Sequence, residues 1–266
     1  MQLTWSRSST GSVVIELFDV IVTMLVLNRQ TSGKSLIGLL INLCLILDRA
    51  DQGKNLSLAK TMINIVSVGV GNVRSLLNWI QQSTDQVTLI SSPSDYVEGT
   101  IVLPGVCSSR ELMDAIRIRE FDLLIRSIAN RGGKVVGICA GFQVLGQFSE
   151  EDGGVDCLDL LPLNTVRMQS KEGPISVNGW DKIVLELTAH PQSSIAQQFP
   201  RTKRVAGEAY FNHRYGVVPN DLDLATDTFG WRGSYLSHWV SSNLYGFQFH
   251  PEKSGVFGQR LLRILR

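Results

Sequence analysis

Lys134-Val-Val-Gly-Ile-Cys-Ala-Gly-Phe-Gln143 decides how the rest of the chain is read. Val135, Val136 and Ile138 make a short apolar run, partly β-branched, of the kind that suits a parallel strand covered on both faces. The run stops at Cys139, which Gly137 and Gly141 bracket. G-x-C-x-G is the thiol counterpart of the G-x-S-x-G elbow, in which a tight strand-to-helix turn pushes the nucleophile into the open. Small neighbours matter there because the turn strains the backbone and packs closely. Phe142 to Phe148 reads as the start of a helix whose N-terminal dipole would favour a thiolate at Cys139. The competing reading is a core cysteine at the end of a core strand.

Outward from the elbow, strands and helices alternate. Upstream, Met62–Val68 reads as a strand, Gly69-Val-Gly-Asn72 as a turn and Val73–Gln82 as an amphipathic helix. Gln86–Ser91 and Thr100–Leu103 are further strands, the latter ended by Pro104-Gly105. Ser108 or Ser109 can cap one long helix running to about Asn130, closed by Arg131-Gly-Gly133. This order predicts an α/β fold with a mostly parallel central sheet flanked by helices, joined by right-handed crossovers. Sites in such sheets lie at the carboxyl ends of the strands, where Cys139 and the Pro104-Gly-Val-Cys107 turn both fall. Downstream the chain is richer in strands, at Leu163–Met168, Lys182–Leu187 and Gly207–Asn212, with a weaker one at Trp231–Trp239. Asn243–His250 is a late strand that runs into Pro251-Glu252, and Phe257–Leu265 reads as a terminal helix.

Residues 1–61 have a different texture. Their apolar runs are Val13–Leu27, interrupted by Glu16 and Asp19, and Leu36–Leu47, which is well short of the about 20 residues a membrane-spanning helix needs. A signal peptide fits poorly, because acidic residues break the apolar stretch and no clear small-residue cleavage site follows. The segment is read as an apolar N-terminal extension: a membrane-associated helical piece, a helical add-on to the main domain, or sequence upstream of a true start at Met62. Residues 62–266 form the working domain.

Composition excludes several classes. A net charge of +1 over 266 residues leaves no electrostatic footprint for nucleic acid. Cys44, Cys107, Cys139 and Cys157 are widely spaced with no C-x-x-C, which indicates neither a zinc site nor a redox pair. A nucleophilic thiol that must stay reduced fits the cytoplasm.

A cysteine nucleophile needs a base, and the base needs an orienting partner. His250 follows a strand, where a loop can project it across the active edge, and Glu252 two residues on can fix its tautomer. Pro251 favours an extended His250. His190 and His238 carry no motif, and His213 lies in the aromatic segment Tyr210-Phe-Asn-His-Arg-Tyr215, where a site-lining role and ordinary half-burial are equally open. Oxyanion donors are available at the Ala140 N–H and in the Gly105–Val106 turn.

Gly137-Ile-Cys-Ala-Gly-Phe-Gln143 with His250-Pro-Glu252 resembles the class I (triad-type) glutamine amidotransferases. Over residues 62–266 the resemblance extends to the glutaminase subunit of imidazole glycerol phosphate synthase. It runs through Val70-Gly-Asn72, Leu103-Pro-Gly-Val106, Asn178-Gly-Trp180, Tyr210-Phe-Asn-His213 and Gly246-Phe-Gln-Phe-His-Pro-Glu-Lys-Ser254. The resemblance implies hydrolysis of glutamine to glutamate and ammonia without metal or organic cofactor. Cys139 would be the nucleophile, His250 the base and then acid, and Glu252 its orienting partner. Gly105, Val106, Ala140, Gly141, Gln143, His213, Arg214 and Tyr215 would hold glutamine and its oxyanion. Asn72, Trp180, Tyr210 and Lys253 would lie at the interface with a (β/α)8 cyclase subunit, the heterodimer partner that receives the ammonia in histidine biosynthesis. Four stretches depart from the family pattern: Ser67-Val-Gly-Val-Gly-Asn72 stands for D-Y-G-M-G-N, Cys107 stands where a glycine is usual, Arg214 where a serine is usual, and Ala140-Gly-Phe-Gln143 for L-G-M-Q. They keep open a weakly active or non-catalytic binding subunit. Phe257-Gly258 leans toward a paralogous branch that supplies ammonia for amino-sugar formation in surface polysaccharides.

Overall fold

A computed structural model describes residues 61–186, 204–221 and 230–265. The readings made of residues 1–60, of Leu187 and of His190 lie outside the described residues. The first half builds four strands of a six-stranded sheet. Its parallel strands are β1 (Met62–Val66), β2 (Val87–Ile90), β3 (Gly99–Leu103) and β4 (Val135–Ile138). The helices between them are α1 (Val73–Gln81), α2 (Ser109–Ile118) and α3 (Phe121–Asn130), and the short α4 (Ala140–Gln143) follows β4.

The second half adds short strands and one long hairpin. These are β5 (Phe148–Ser149), β6 (Val155–Asp156), β7 (Leu163–Arg167), β8 (Gln169–Ser170) and β9 (Gly173–Pro174). Then come β10 (Val177–Glu186), β11 (Arg204–His213), β12 (Tyr215–Pro219), β13 (Gly230–Trp231) and β14 (Tyr235–Leu236). The chain returns to the main sheet with β15 (His238–Val240) and β16 (Leu244–Phe247) and closes on α5 (Gly255–Leu261).

The main sheet runs β15-β16-β4-β3-β1-β2, parallel throughout except for β15, which pairs antiparallel with β16 at the edge. A parallel strand in mid-sheet is covered on both faces, and the apolar runs obey this. In β3, Ile101 and Leu103 enter one core while Val102 enters the other. In β4, Val135 faces the first core, and Val136 and Ile138 the second. All four β4 residues are buried. Separate from this sheet, β10 and β11 form a ten-pair antiparallel hairpin, and β12-β7-β5-β6 a small mixed sheet.

Two helical expectations change. The single helix expected up to Asn130 is two: α2 stops at Ile118, and Glu120 takes a left-handed φ of 59° before α3 begins. The break carries no glycine or proline, so apolar periodicity runs through it unmarked. The helix expected over 142–148 is one turn, Ala140–Gln143, and Phe148 already belongs to β5. Beyond its Val144 cap, Gly146 passes close to β7, where an added β-carbon would meet the Leu163 carbonyl. A helix dipole of so few peptides contributes little, so charge at Cys139 has to be stabilised from elsewhere.

Among the described residues no helix is long and apolar enough to cross a membrane, and no group of three or more His, Cys, Asp or Glu could hold a metal ion. Cys107, Cys139 and Cys157 are free thiols.

Candidate active site

β4 delivers Cys139 to the carboxyl edge of the sheet in a strained conformation, φ 53° and ψ −109°. A residue with a side chain pays about 1–3 kcal/mol to sit in such a region and stays there only if its surroundings enforce it. The enforcement is backbone on backbone. The Cys139 N–H donates to the Phe247 carbonyl at 2.7 Å, and the Cys139 carbonyl accepts from the N–H groups of Phe142 and Gln143, each at 3.0 Å. A β-carbon at Gly137 would strike the Gly141 carbonyl, and one at Gly141 would strike the Leu103 carbonyl. One at Gly105 would strike the Ile138 carbonyl and the amide nitrogens of Ala140 and Gly141. Three glycines therefore allow the loop after β3 to lie directly on the elbow, next to the N–H groups that open α4.

His250 arrives from the neighbouring strand β16. Its backbone is extended, φ −100° and ψ 97°, as expected before proline. The His250 N–H donates to the Tyr210 carbonyl at 2.8 Å, which ties it to the hairpin. Pro251–Lys253 then forms a 3-10 turn, and this turn, rather than an extended segment, brings Glu252 back under the ring. His250 Nδ1 lies 2.8 Å from Glu252 Oε1, and both side chains are almost fully buried. Burial works against charge on His250, but the Cys139 sulfur within hydrogen-bonding reach and the Glu252 carboxylate outweigh it, so the imidazole is pushed up to about 10. The imidazolium form is thus the one this site stabilises. Cys139 Sγ also lies 3.9 Å from the Gln248 amide nitrogen.

Cys139 and His250 open into one cleft of about 430 Å³. Gly105, Val106, Cys107 and Gln143 line it beside the nucleophile, and His213, Arg214 and Tyr215 line its far side. Of the expected substrate-contacting residues, Ala140 and Gly141 are buried in the elbow beneath it. Gln143 Nε2 donates to the Tyr215 carbonyl at 2.9 Å. That carbonyl also accepts from His213 Nδ1 at 2.8 Å, so the proton of neutral His213 sits on Nδ1. Burial pulls His213 down to about 4, which keeps it neutral at pH 7. His238 is fully buried and is pulled down to about 3 by burial, a packing residue as its lack of motif implied.

Five cleft residues were missed by the reading of the sequence: Glu151, Ser176, Val177, Asn178 and Asn212. Glu151 enters from the turn between β5 and β6, and its Oε2 accepts from the Ser109 N–H at 2.7 Å. Burial raises its carboxyl above the usual range, opposed by the Ser109 hydrogen bonds. Glu150-Glu151-Asp152 is an unremarkable acidic run in the chain, and only the small mixed sheet turns one of the three inward.

The residues expected at a partner interface form a file leading out from the base. The Tyr210 ring is 6.3 Å from that of His250, Trp180 meets Tyr210 edge-on at 5.7 Å, and Lys253 Nζ lies 5.4 Å over the Tyr210 ring. Tyr210 donates its hydroxyl to Asn178 at 2.9 Å, and Trp180 is 57% exposed, a large apolar surface left to solvent. Asn72 is occupied differently: it caps α1, accepting from the Ser75 N–H at 3.2 Å. Phe257 and Gly258, which leaned toward the polysaccharide branch, have packing roles. Phe257 is buried against Phe249, and a β-carbon at Gly258 would strike the Pro251 carbonyl beneath the His250 turn.

Comparison with known proteins agrees with this geometry. Residues 72–178 match the CobB/CobQ-like glutamine amidotransferase domain. The imidazole glycerol phosphate synthase subunit HisH of Haloarcula marismortui is 34% identical over 217 residues, covering 75% of this chain and 91% of that protein. The HisH subunits of Bacillus subtilis and Nitrosococcus oceani are 31% and 30% identical, covering 93% and 94% of their own lengths and 76% and 75% of this chain. In fold, the chain resembles a crystal structure of a glutamine amidotransferase with a TM-score of 0.53 at 14% identity, covering 77% of this chain and 96% of the other. It also resembles PurLQS from Thermotoga maritima, with a TM-score of 0.51 at 17% identity, covering 77% and 97%. The chain is a glutamine amidotransferase and belongs to the HisH family of imidazole glycerol phosphate synthase subunits.

Proposed function

We propose that residues 62–266 hydrolyse glutamine to glutamate and ammonia through a Cys139–His250–Glu252 triad, and pass the ammonia to a (β/α)8 cyclase subunit in histidine biosynthesis. The observation that carries this reading is the buried His250–Glu252 pair, 2.8 Å apart, facing the same cleft as a strained cysteine. Cys139 gives its thiol proton to His250 and its sulfur adds to the side-chain amide carbon, and the oxyanion is met by N–H groups of the elbow at Ala140 and of the adjoining Gly105–Val106 loop. Collapse to the thioester expels ammonia, which takes its proton from the His250 imidazolium. Neutral His250 then draws a proton from water, whose oxygen adds to the thioester and releases glutamate and the thiol. Glu252 holds the ring through Nδ1 and balances its charge in both halves.

Gln143 and the backbone around His213–Tyr215 hold the substrate, with the Glu151 carboxylate placed for its α-ammonium and the Arg214 guanidinium for its α-carboxylate. Arg214 lines the cleft from an exposed position, which leaves room for turnover as well as binding. Every step is acid, base or nucleophile chemistry of these side chains, with no cofactor assigned. Trp180, Tyr210 and Lys253 form the surface offered to the cyclase, with Asn72 at its margin, and the complex works in the cytoplasm. Mixing the full chain with its cyclase partner and glutamine tests the reading: glutamate release is expected from the wild type and not from Cys139→Ala. Release by Cys139→Ala, or none from the wild type, overturns it.

A further inference from the structure

Ser109 does not line the cleft, yet three of the groups that do are fixed through it. It is the first residue of α2 and is completely buried. Ser108 already caps the helix, its side chain accepting from the Glu111 N–H at 3.2 Å, so the polar groups of Ser109 serve another purpose. Its N–H donates to Glu151 Oε2 at 2.7 Å, and its hydroxyl donates to Gln143 Oε1 at 3.0 Å. With its oxygen engaged, Gln143 turns its amide nitrogen to the Tyr215 carbonyl at 2.9 Å. One serine thereby orients an acidic group from the β5–β6 turn, the glutamine four residues beyond the nucleophile, and through it the carbonyl at the start of β12.

We infer that Ser109 is a positioning residue of the substrate site, setting Glu151 and Gln143 at a fixed separation so that the cleft takes a ligand carrying both an α-amino group and a side-chain amide. The inference rests on the glutaminase reading above. Its physical basis is that a carboxylate leaving water needs fixed donors, and a buried amide with an unpaired oxygen turns over to find one. Ser109 supplies both from a helix start that cannot drift, because α2 is capped and packed against the core through Leu112, Met113 and Ile116. Alanine at this position keeps the N–H bond to Glu151 and the helix cap while removing the hydroxyl, so the fold is retained and only the alignment is lost.

The test is steady-state glutamate release by the complex of the full chain with its cyclase, for the wild type, Ser109→Ala, Ser109→Thr, Glu151→Gln and the Ser109→Ala/Glu151→Gln double variant. Ser109→Ala is expected to raise KM for glutamine about tenfold with kcat held within about threefold, as for loss of the buried hydroxyl bond that aligns Gln143 for binding. Ser109→Thr restores most of the loss. In the Glu151→Gln background the alanine adds less than about twofold, since the alignment of Gln143 counts only when the α-amino end of the same ligand is held. With glutaramate, which lacks the α-amino group, Ser109→Ala changes KM less than it does with glutamine. Full additivity in the double variant, a loss confined to kcat, or failure of threonine to restore binding overturns the positioning role while leaving the glutaminase reading intact. Absence of glutamate release by the wild-type complex overturns both.

Discussion

The two walls of the cleft are built on opposite principles. On the elbow side, Gly105, Gly137 and Gly141 bring backbone against backbone, and residues 135–146 around Cys139 are all buried. On the hairpin side, β10 and β11 alternate inward and outward residues, and Trp180 and Val184 are more than half exposed. The first wall rests on three positions that cannot carry a β-carbon, and the second presents alternating side chains. Chemistry that depends on the placement of one sulfur and one carbonyl oxygen sits on the wall that cannot vary its shape. Recognition of a ligand or a partner sits on the wall whose side chains can be replaced one at a time without moving the nucleophile.

That contrast can be broken at several points. The largest effect belongs to the base. Glu252→Gln keeps the shape of the turn but offers the ring a poor partner, and glutamine turnover should fall about 10³-fold or more while the protein still folds. Comparable turnover in the variant would remove Glu252 from the triad. Next comes the glycine wall. Gly105→Ala forces a β-carbon into the Ile138 carbonyl, and a loss of about 3 kcal/mol in denaturant-induced unfolding is expected together with lost activity. The hairpin wall should respond differently: Trp180→Ala should leave the unfolding midpoint unmoved and weaken association with the cyclase by about 2 kcal/mol, read by titration calorimetry.

The smallest effect is in pH. The folded value of His250, about 10, stands above its ordinary 6.5. Its charged form therefore adds stability that is fully present below pH 6.5 and is lost as pH rises through about 10. Glu252→Gln removes one of the two groups that hold the charge, so its stability should vary less over that interval than the wild type's. A wild-type curve that rises with pH there would contradict the imidazolium assignment.

How much of this was legible in the chain follows from the same contrast. The elbow declares itself within five residues because its constraint is local: glycines must flank a residue forced to φ 53°. His250-Pro-Glu252 is local too, although a 3-10 turn rather than an extended segment supplies its geometry. Glu151 and Ser109 were illegible as a pair because 42 positions separate them and neither stands in a pattern. The split between α2 and α3 was hidden for a related reason. Glu120 adopts a left-handed conformation that glycine or asparagine would have advertised. What tertiary packing imposes on an ordinary residue leaves no mark in the sequence.

The bond from the His250 N–H to the Tyr210 carbonyl has a mechanical consequence. It ties the hairpin to His250, with Trp180 at the outer end and the imidazole at the inner one. Under the proposed function, a protein that grips the outer end would set the tilt of the inner one, so docking and hydrolysis would share a lever. By reciprocity, whatever docking gains in tightening the hold on glutamine, glutamine returns in tightening the hold on the docked protein.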